Sequence, residues 1–304
     1  MNILLLGRDG QVGTALVPCL SALGRVTALG RADAGGDLTD IDGLRAVVRA
    51  LSPGVIVNAA AYTRVDLAER EGALAMAVNA VAPAVLAEEA ARLGAWLVHY
   101  STDYVFDGSG ERPWQEADIP APLNAYGRSK LAGERAVHQG CARHLLFRTS
   151  WVCSPRAGGF ADAVLRQALD GKPLSVVSDQ VGAPTTAALV AEVTCGVLRQ
   201  VLDRADDGLA GCYHLAAAGG VSRLGYARHV LARAQAAGLP LRTGPEQVAA
   251  VASADFPSPA RRPLNSRLDT SLLRARFGLI LPPWHEGVDQ VVDALTASWR
   301  SASR

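Results

Sequence analysis

The chain has 304 residues, 49% of them hydrophobic and 19% charged, with 30 basic side chains against 29 acidic ones. That is enough for one large domain or two coupled ones around a sizeable core, and it excludes a disordered chain. A net charge of +1 leaves no electrostatic footprint for nucleic acid or an anionic membrane, so neither is an expected partner.

A β run at 2–6 leads into Gly7-Arg8-Asp9-Gly10-Gln11-Val12-Gly13 and then a helical period to about Leu23. Glycines at GxxGxxG spacing between a first strand and a first helix permit a tight turn, so a pyrophosphate can rest on amide N–H groups at the helix start. The next strand, at 26–29, runs into Gly30-Arg31 with no carboxylate to hold an adenosine ribose 2′-hydroxyl. Arg31, helped by Arg8, is instead placed to meet the 2′-phosphate of NADPH, which leans the expected cofactor to NADPH with NADH as the alternative. A helix near 42–51, a strand at 55–58, an alanine-rich helix near 72–93, a strand at 96–100, a helix near 124–138 and a strand at 145–149 follow. Strands alternating with helices imply right-handed crossovers and a doubly wound, Rossmann-like parallel sheet.

Beyond residue 150 the pattern loosens. Helices are expected near 159–170, 186–203, 223–237 and 286–299, with short β runs at 174–177 and 213–215, and proline-rich loops at Phe256-Pro257-Ser258-Pro259 and Leu281-Pro282-Pro283. The expected division is a dinucleotide-binding domain over 1–150, with return segments near 174–215, and a smaller substrate-binding lobe over most of 151–304.

Tyr126-Gly127-Arg128-Ser129-Lys130 carries the sharpest chemical signal, because four-residue spacing puts Tyr126 and Lys130 on one helix face. The chain has two lysines and six tyrosines, and random placement gives only about 0.04 such pairs. An ammonium beside a phenol stabilises phenolate and lowers its pKa towards the working range, which suits proton transfer to a carbonyl oxygen. Upstream, Ser101-Thr102-Asp103-Tyr104-Val105-Phe106-Asp107-Gly108 begins where the strand at 96–100 ends, so the Ser101 and Thr102 hydroxyls are placed to bond a substrate oxygen.

The five cysteines are scattered with no CxxC pair and read as buried thiols of a reducing cytoplasm. The six histidines form no HxxxH pattern, so no metal site is expected. No apolar run approaches the ~18 residues of a membrane span, and the apolar start at 3–6 reads as a strand, not a targeting signal.

Together these residues resemble the extended short-chain dehydrogenase/reductase superfamily and, within it, the dTDP-4-dehydrorhamnose reductase family. The resemblance runs along essentially the whole chain: the glycine motif, Asp37-Leu38-Thr39-Asp40, NAAAYTRVDLAE at 58–69, Val78-Asn79, STDYVFDG, the tyrosine-lysine pair, Arg148-Thr149-Ser150-Trp151, SDQVGAPT at 178–185 and Arg262-Pro263-Leu264-Asn265-Ser266. It implies Tyr126 as general acid, Lys130 on the nicotinamide ribose, and Thr102 on the keto oxygen. It further implies Gly7, Gly10, Gln11, Val12 and Gly13 at the pyrophosphate, Asp37 and Leu38 at the adenine, and Ala59, Ala60, Ala61, Tyr62 and Thr63 at the inner ribose. Ser101, Asp103 and Trp151 would line the pocket of a dTDP-sugar substrate. Some relatives dimerise through magnesium held by glutamates, one of them just after the glycine motif. Gly13-Thr14-Ala15-Leu16 has no carboxylate there, so a monomer or weak homodimer is expected. Two alternatives share the machinery: a nucleotide-sugar epimerase, and a non-catalytic regulatory subunit like that of methionine adenosyltransferase.

Overall fold

The computed structural model describes residues 1–302 except 157, 205, 206 and 257, so Pro257 of the expected proline-rich loop lies outside the described residues. The first half runs β1 (Asn2–Leu6), α1 (Gln11–Ser21), β2 (Arg25–Leu29), α2 (Ile41–Leu51), β3 (Val55–Asn58), α3 (Val65–Ala68), α4 (Gly72–Met76), α5 (Ala82–Leu93), β4 (Trp96–Thr102), α6 (Ala125–Gly140) and β5 (His144–Thr149). The second adds β6 (Val152–Cys153), α7 (Phe160–Asp170), β7 (Ser175–Val177), β8 (Val181–Gly182), β9 (Thr185–Thr186), α8 (Ala187–Arg204), β10 (Gly211–His214), β11 (Val221–Ser222), α9 (Arg223–Ala236), β12 (Ala249–Val251), α10 (Ser271–Phe277) and α11 (Trp284–Ala302).

Six strands form one parallel sheet in the order β10-β5-β4-β3-β1-β2. Its strands alternate between two buried faces. Ile3, Val57, Val98 and Phe147 meet Leu16 and Leu20 of α1, Val197 and Val201 of α8, and Phe277 of α10. Leu4, Ile56, Leu97 and Leu146 meet Leu44 and Val48 of α2, Leu86 of α5 and Val137 of α6. Burial on both faces is why these strands read as continuous apolar runs. A separate cluster joins α7, α9 and α11 through Leu165, Tyr226, Val230, Leu231, Val288 and Val292. The strand order reverses beside β1, and the carboxyl ends of β1, β3, β4 and β5 open there into one crevice.

Three expectations are corrected. Cys19 on α1 and Cys195 on α8 are disulfide-bonded, so they are not free thiols; Cys141 and Cys153 are free and buried, and Cys212 is free and half-buried. Helix packing across 176 residues of sequence brings the pair together, which spacing cannot reveal. The stretch 72–93 is long and apolar enough to cross a membrane, against the expectation for apolar runs, but more than half of it is buried and it packs against α6 and α2. It is also not one regular helix. Pro83 has no N–H to offer the Asn79 carbonyl four residues earlier, and the backbone widens into a π turn over Ala77–Val81 that holds Asn79 inward.

Candidate active site

The turn after β1 follows from its glycines. Gly7 has φ +83°, and a Cβ there would lie 2.6 Å from the Ala60 nitrogen, so only glycine lets the loop after β3 come so close. A Cβ on Gly13 would lie 2.0 Å from the Gly7 carbonyl oxygen, so Gly13 seats α1 against the turn. Gly10 caps α1 without a side-chain hydrogen bond, and the first turn has no acidic residue, which leaves the amides of a helix N-terminus open to an anion.

The site residues expected from sequence line one cleft of about 1050 Å³ except Gly13, which is buried beneath the turn, and Arg8, which lies outside the lining. Gly7, Gly10, Gln11 and Val12 border its glycine end, beside Arg31, Asp37 and Leu38. Ala59, Ala60, Ala61, Tyr62 and Thr63 form its middle. Ser101, Thr102, Asp103, Tyr126, Lys130 and Trp151 surround its far end. A cleft of this reach, with an uncapped helix start at one end, fits a nicotinamide dinucleotide.

The glycine end differs from expectation in its charges. Asp33 accepts from the Gly30 amide at 2.7 Å and pairs with Arg8 at 3.1 Å. Arg31 is largely exposed and lies 3.4 Å from Asp37, whose pKa is lowered chiefly by the Thr39 amide. Both arginines therefore already face carboxylates, and acceptors for a ribose hydroxyl are present close to the end of β2. The turn at 30–37 folds them back, which reading the strand end alone could not show.

At the reacting end, α6 is held at its first turn. The Asn124 side chain accepts from the Gly127 amide at 2.8 Å and donates to the Arg261 carbonyl at 2.8 Å. Asn79, on the π turn, accepts from the Tyr62 amide at 2.9 Å and donates to the Ser129 hydroxyl at 3.0 Å, and Ser129 donates to the Tyr126 carbonyl at 2.7 Å. One buried amide thus ties the loop after β3 to the helix that carries Tyr126. Strand β4 extends two residues beyond the sequence expectation, and Thr102, its last residue, lies beside Tyr126 in the wall of the cleft.

The electrostatics also depart from expectation. Lys130 Nζ donates to the Tyr100 carbonyl at 2.6 Å and lies 3.3 Å from His99 Nε2, so the ammonium is directed at β4. Burial pushes Tyr126 well above the ordinary phenol range, and Lys130 does not lower it. Desolvation wins because the phenolic oxygen lies deep in the cleft wall. Burial also takes Lys130 down to about 8 and Asp103 up to about 6. Near neutral pH the phenol is protonated, which is the form a general acid requires. Among the described residues the buried Ser101 Oγ, Asp103 Oδ2 and Thr149 Oγ1 have no hydrogen-bond partner, so the cleft that holds the tyrosine carries polar atoms with capacity unspent.

Asn58, Asn79, His99 and Arg223 also shape the site and were not assigned roles from sequence. Asn79 stood within a recognised motif, yet its partners come from distant segments. The Arg148 of RTSW makes a buried two-pronged pair with Glu134 at 2.9 and 2.7 Å, and Asn265 of RPLNS bonds the Arg112 carbonyl at 2.7 Å. Both motifs thus contribute scaffold at these positions. Trp151 adopts φ +46°, and its ring covers Gly182, where a Cβ would lie 2.6 Å away.

A doubly wound sheet with a glycine turn, a tyrosine-lysine helix and hydroxyls at the end of the fourth strand defines a dinucleotide-dependent oxidoreductase of the extended short-chain dehydrogenase/reductase class. The chain matches the family described as RmlD substrate binding domain over residues 1–297. It is 45% identical over 297 residues to a dTDP-4-dehydrorhamnose reductase of Escherichia coli K12, covering 97% of this chain and 98% of that one. Against the Salmonella typhimurium reductase it is 46% identical over 294 residues, covering 96% and 97%. This chain belongs to the dTDP-4-dehydrorhamnose reductase family. Its fold superposes on the Bacillus anthracis reductase, solved in complex with NADP, with a TM-score of 0.84 at 31% identity over 95% of this chain and 98% of that one. A Thermus thermophilus UDP-glucose 4-epimerase shares the fold at a TM-score of 0.76 and 22% identity, covering 97% and 99%.

Proposed function

We propose that this protein reduces dTDP-4-dehydro-β-L-rhamnose to dTDP-L-rhamnose with NADPH, and with NADH as an alternative, in the cytoplasmic supply of nucleotide-sugar precursors for cell-surface polysaccharide. The observation that carries the reading is the convergence of Thr102, Tyr126 and Lys130 on the far end of the cleft that the glycine turn opens. The reduced nicotinamide, when bound, supplies the hydride for the keto carbon. The amides of Gln11 and Val12 at the start of α1 hold the pyrophosphate over the turn that Gly7 and Gly10 shape, since the Gly7 amide is donated to the Leu29 carbonyl and the Gly10 amide to the Gly7 carbonyl. Asp37 and Leu38 border the adenine, and Ala59 to Thr63 the inner ribose, with Lys130 donating to that ribose. Gly13 serves by letting α1 approach the turn.

Thr102 orients the substrate's 4-keto oxygen, and Tyr126 gives it the proton as charge builds there. Trp151, Ser101 and Asp103 hold the sugar ring between the two. Residues 1–150 with the return segments form the dinucleotide half and the rest mainly the substrate lobe, in a monomer or weak homodimer. Tyr126→Phe tests the assignment, because it removes only the dissociable proton. Turnover should fall by about 10²–10⁴-fold with cofactor affinity intact; near-wild-type turnover in a folded variant would remove Tyr126 from the mechanism.

A further inference from the structure

Arg223, the first residue of α9, projects into the same cleft from the substrate lobe. Its guanidinium lies 3.6 Å above the Trp151 ring and 5.0 Å from the centre of Phe160. Its amide donates to the Gln180 carbonyl at 2.8 Å, but among the described residues its guanidinium makes no ion pair and no hydrogen bond: Asp103 and Tyr104 act on it only through their field. Of the other cations that line the cleft, Arg64 is exposed to solvent and three are engaged. Lys130 donates to the Tyr100 carbonyl, Arg31 pairs with Asp37, and Arg156 bonds the Asp9 carbonyl.

A half-buried cation with no anion beside it keeps unspent capacity for one, which aromatic faces meet only in part. Burial accordingly pulls Arg223 below the ordinary guanidinium range, although never to neutrality. The arrangement is rigid, since Trp151 is itself fixed over Gly182. Tyr104 connects the two ends of this pocket: its ring meets Tyr126 edge-on at 5.6 Å, and its hydroxyl feels Arg223. In a nucleotide sugar reacting at C4, the diphosphate hangs from C1, directly across the ring. The diphosphate of a sugar whose C4 faces Tyr126 therefore points away from the tyrosine, and Arg223 is a cation of the same cleft.

We propose that Arg223 is the ligand of the substrate diphosphate, its planar fork held against Trp151 to take two phosphate oxygens at once. The stack fixes the guanidinium before substrate arrives, so little side-chain freedom is lost on binding. The inference rests on the nucleotide-sugar reading above, but its test separates from it. Binding of dTDP, UDP and thymidine is measured by calorimetry on the wild type, Arg223→Met and Arg223→Lys, alongside steady-state kinetics.

Arg223→Met keeps an apolar chain over Trp151 and should lose about 10- to 100-fold in dTDP affinity while thymidine and NADPH bind as before. Arg223→Lys should recover part of the loss, and KM should move more than kcat. Equal losses of dTDP and thymidine would make Arg223 a packing residue and overturn the proposal. So would unchanged dTDP affinity, or a wild type that binds neither diphosphate more tightly than thymidine. A wild type that fails to reduce the dTDP-4-keto sugar yet binds UDP in an Arg223-dependent way would sink the proposed substrate and leave this ligand assignment standing.

Discussion

At the scale of single residues, the reacting end combines groups whose environments push them in useful directions. Asp103 titrates near 6 because burial disfavours its charge, and Thr102 Oγ1 donates to its carboxylate at 3.1 Å. Protonation turns that acceptor into a donor and releases Thr102 from its orientation, so kcat/KM should fall as pH drops through about 6. Asp103→Asn should abolish this acid limb; a limb that persists unchanged would assign it elsewhere. The loss would not reflect unfolding caused by Asp103. A carboxyl raised in the folded state contributes stability that is fully present below 3.8 and lost as pH rises through 6. The tyrosine-lysine pair was legible from its spacing alone. The direction of the ammonium was not, because Tyr100 O and His99 reach Lys130 from another strand. Arg223 gave no sequence signal either, since only folding brings it over Trp151.

At the scale of elements, α6 is the part that must sit at the right height, because it carries both Tyr126 and Lys130. Its contact with the π turn is made at Gly133, where a Cβ would fall 2.0 Å from the Asn79 carbonyl oxygen. That carbonyl is the one Pro83 leaves without its usual helical donor, so the π turn and Gly133 form one fitted joint. Gly133→Ala should destabilise the protein by about 1–3 kcal/mol through overpacking, despite the better helix propensity of alanine. By displacing α6 it should also lower kcat at temperatures where the protein is folded. A variant as stable and active as the wild type would show that the joint is slack. The helical stretch 72–93 and the helix near 124–138 were legible from their periodicity, but the π turn that interrupts the first was not. Its cause lies in a missing donor and a packing partner some fifty positions away.

At the scale of the whole molecule, a doubly wound parallel sheet with helices on both faces followed from alternating apolar runs and the glycine turn, while its strand order is read from the structure. The β runs that became β7 and β10 were legible, but the partners of the short strands in the second lobe and the Cys19–Cys195 bond depend on contacts that local pattern does not encode. Acid stability is likewise a property of the assembled core. His214 ends β10 beneath Phe106, fully buried, with its pKa lowered to about 3 by desolvation and then by Arg148. The unfolded chain takes up this proton from 6.5 downwards while the folded one resists until about 3, so stability is lost as pH falls through that window. His214→Gln should reduce the slope of stability against pH there by up to about 1.4 kcal/mol per unit, as read from urea midpoints. An unchanged slope would place the acid sensitivity in other buried groups such as His99 and His144.

The central claim is a net two-electron reduction at the sugar 4-keto carbon, and the most direct measurement follows reduced-nicotinamide absorbance while freshly made dTDP-4-dehydro-β-L-rhamnose is supplied. The account predicts that one NADPH is oxidised for each dTDP-L-rhamnose formed, and that Tyr126→Phe loses both signals together. Conversion of the sugar without net consumption of NADPH, or NADPH oxidation without dTDP-L-rhamnose, would contradict it.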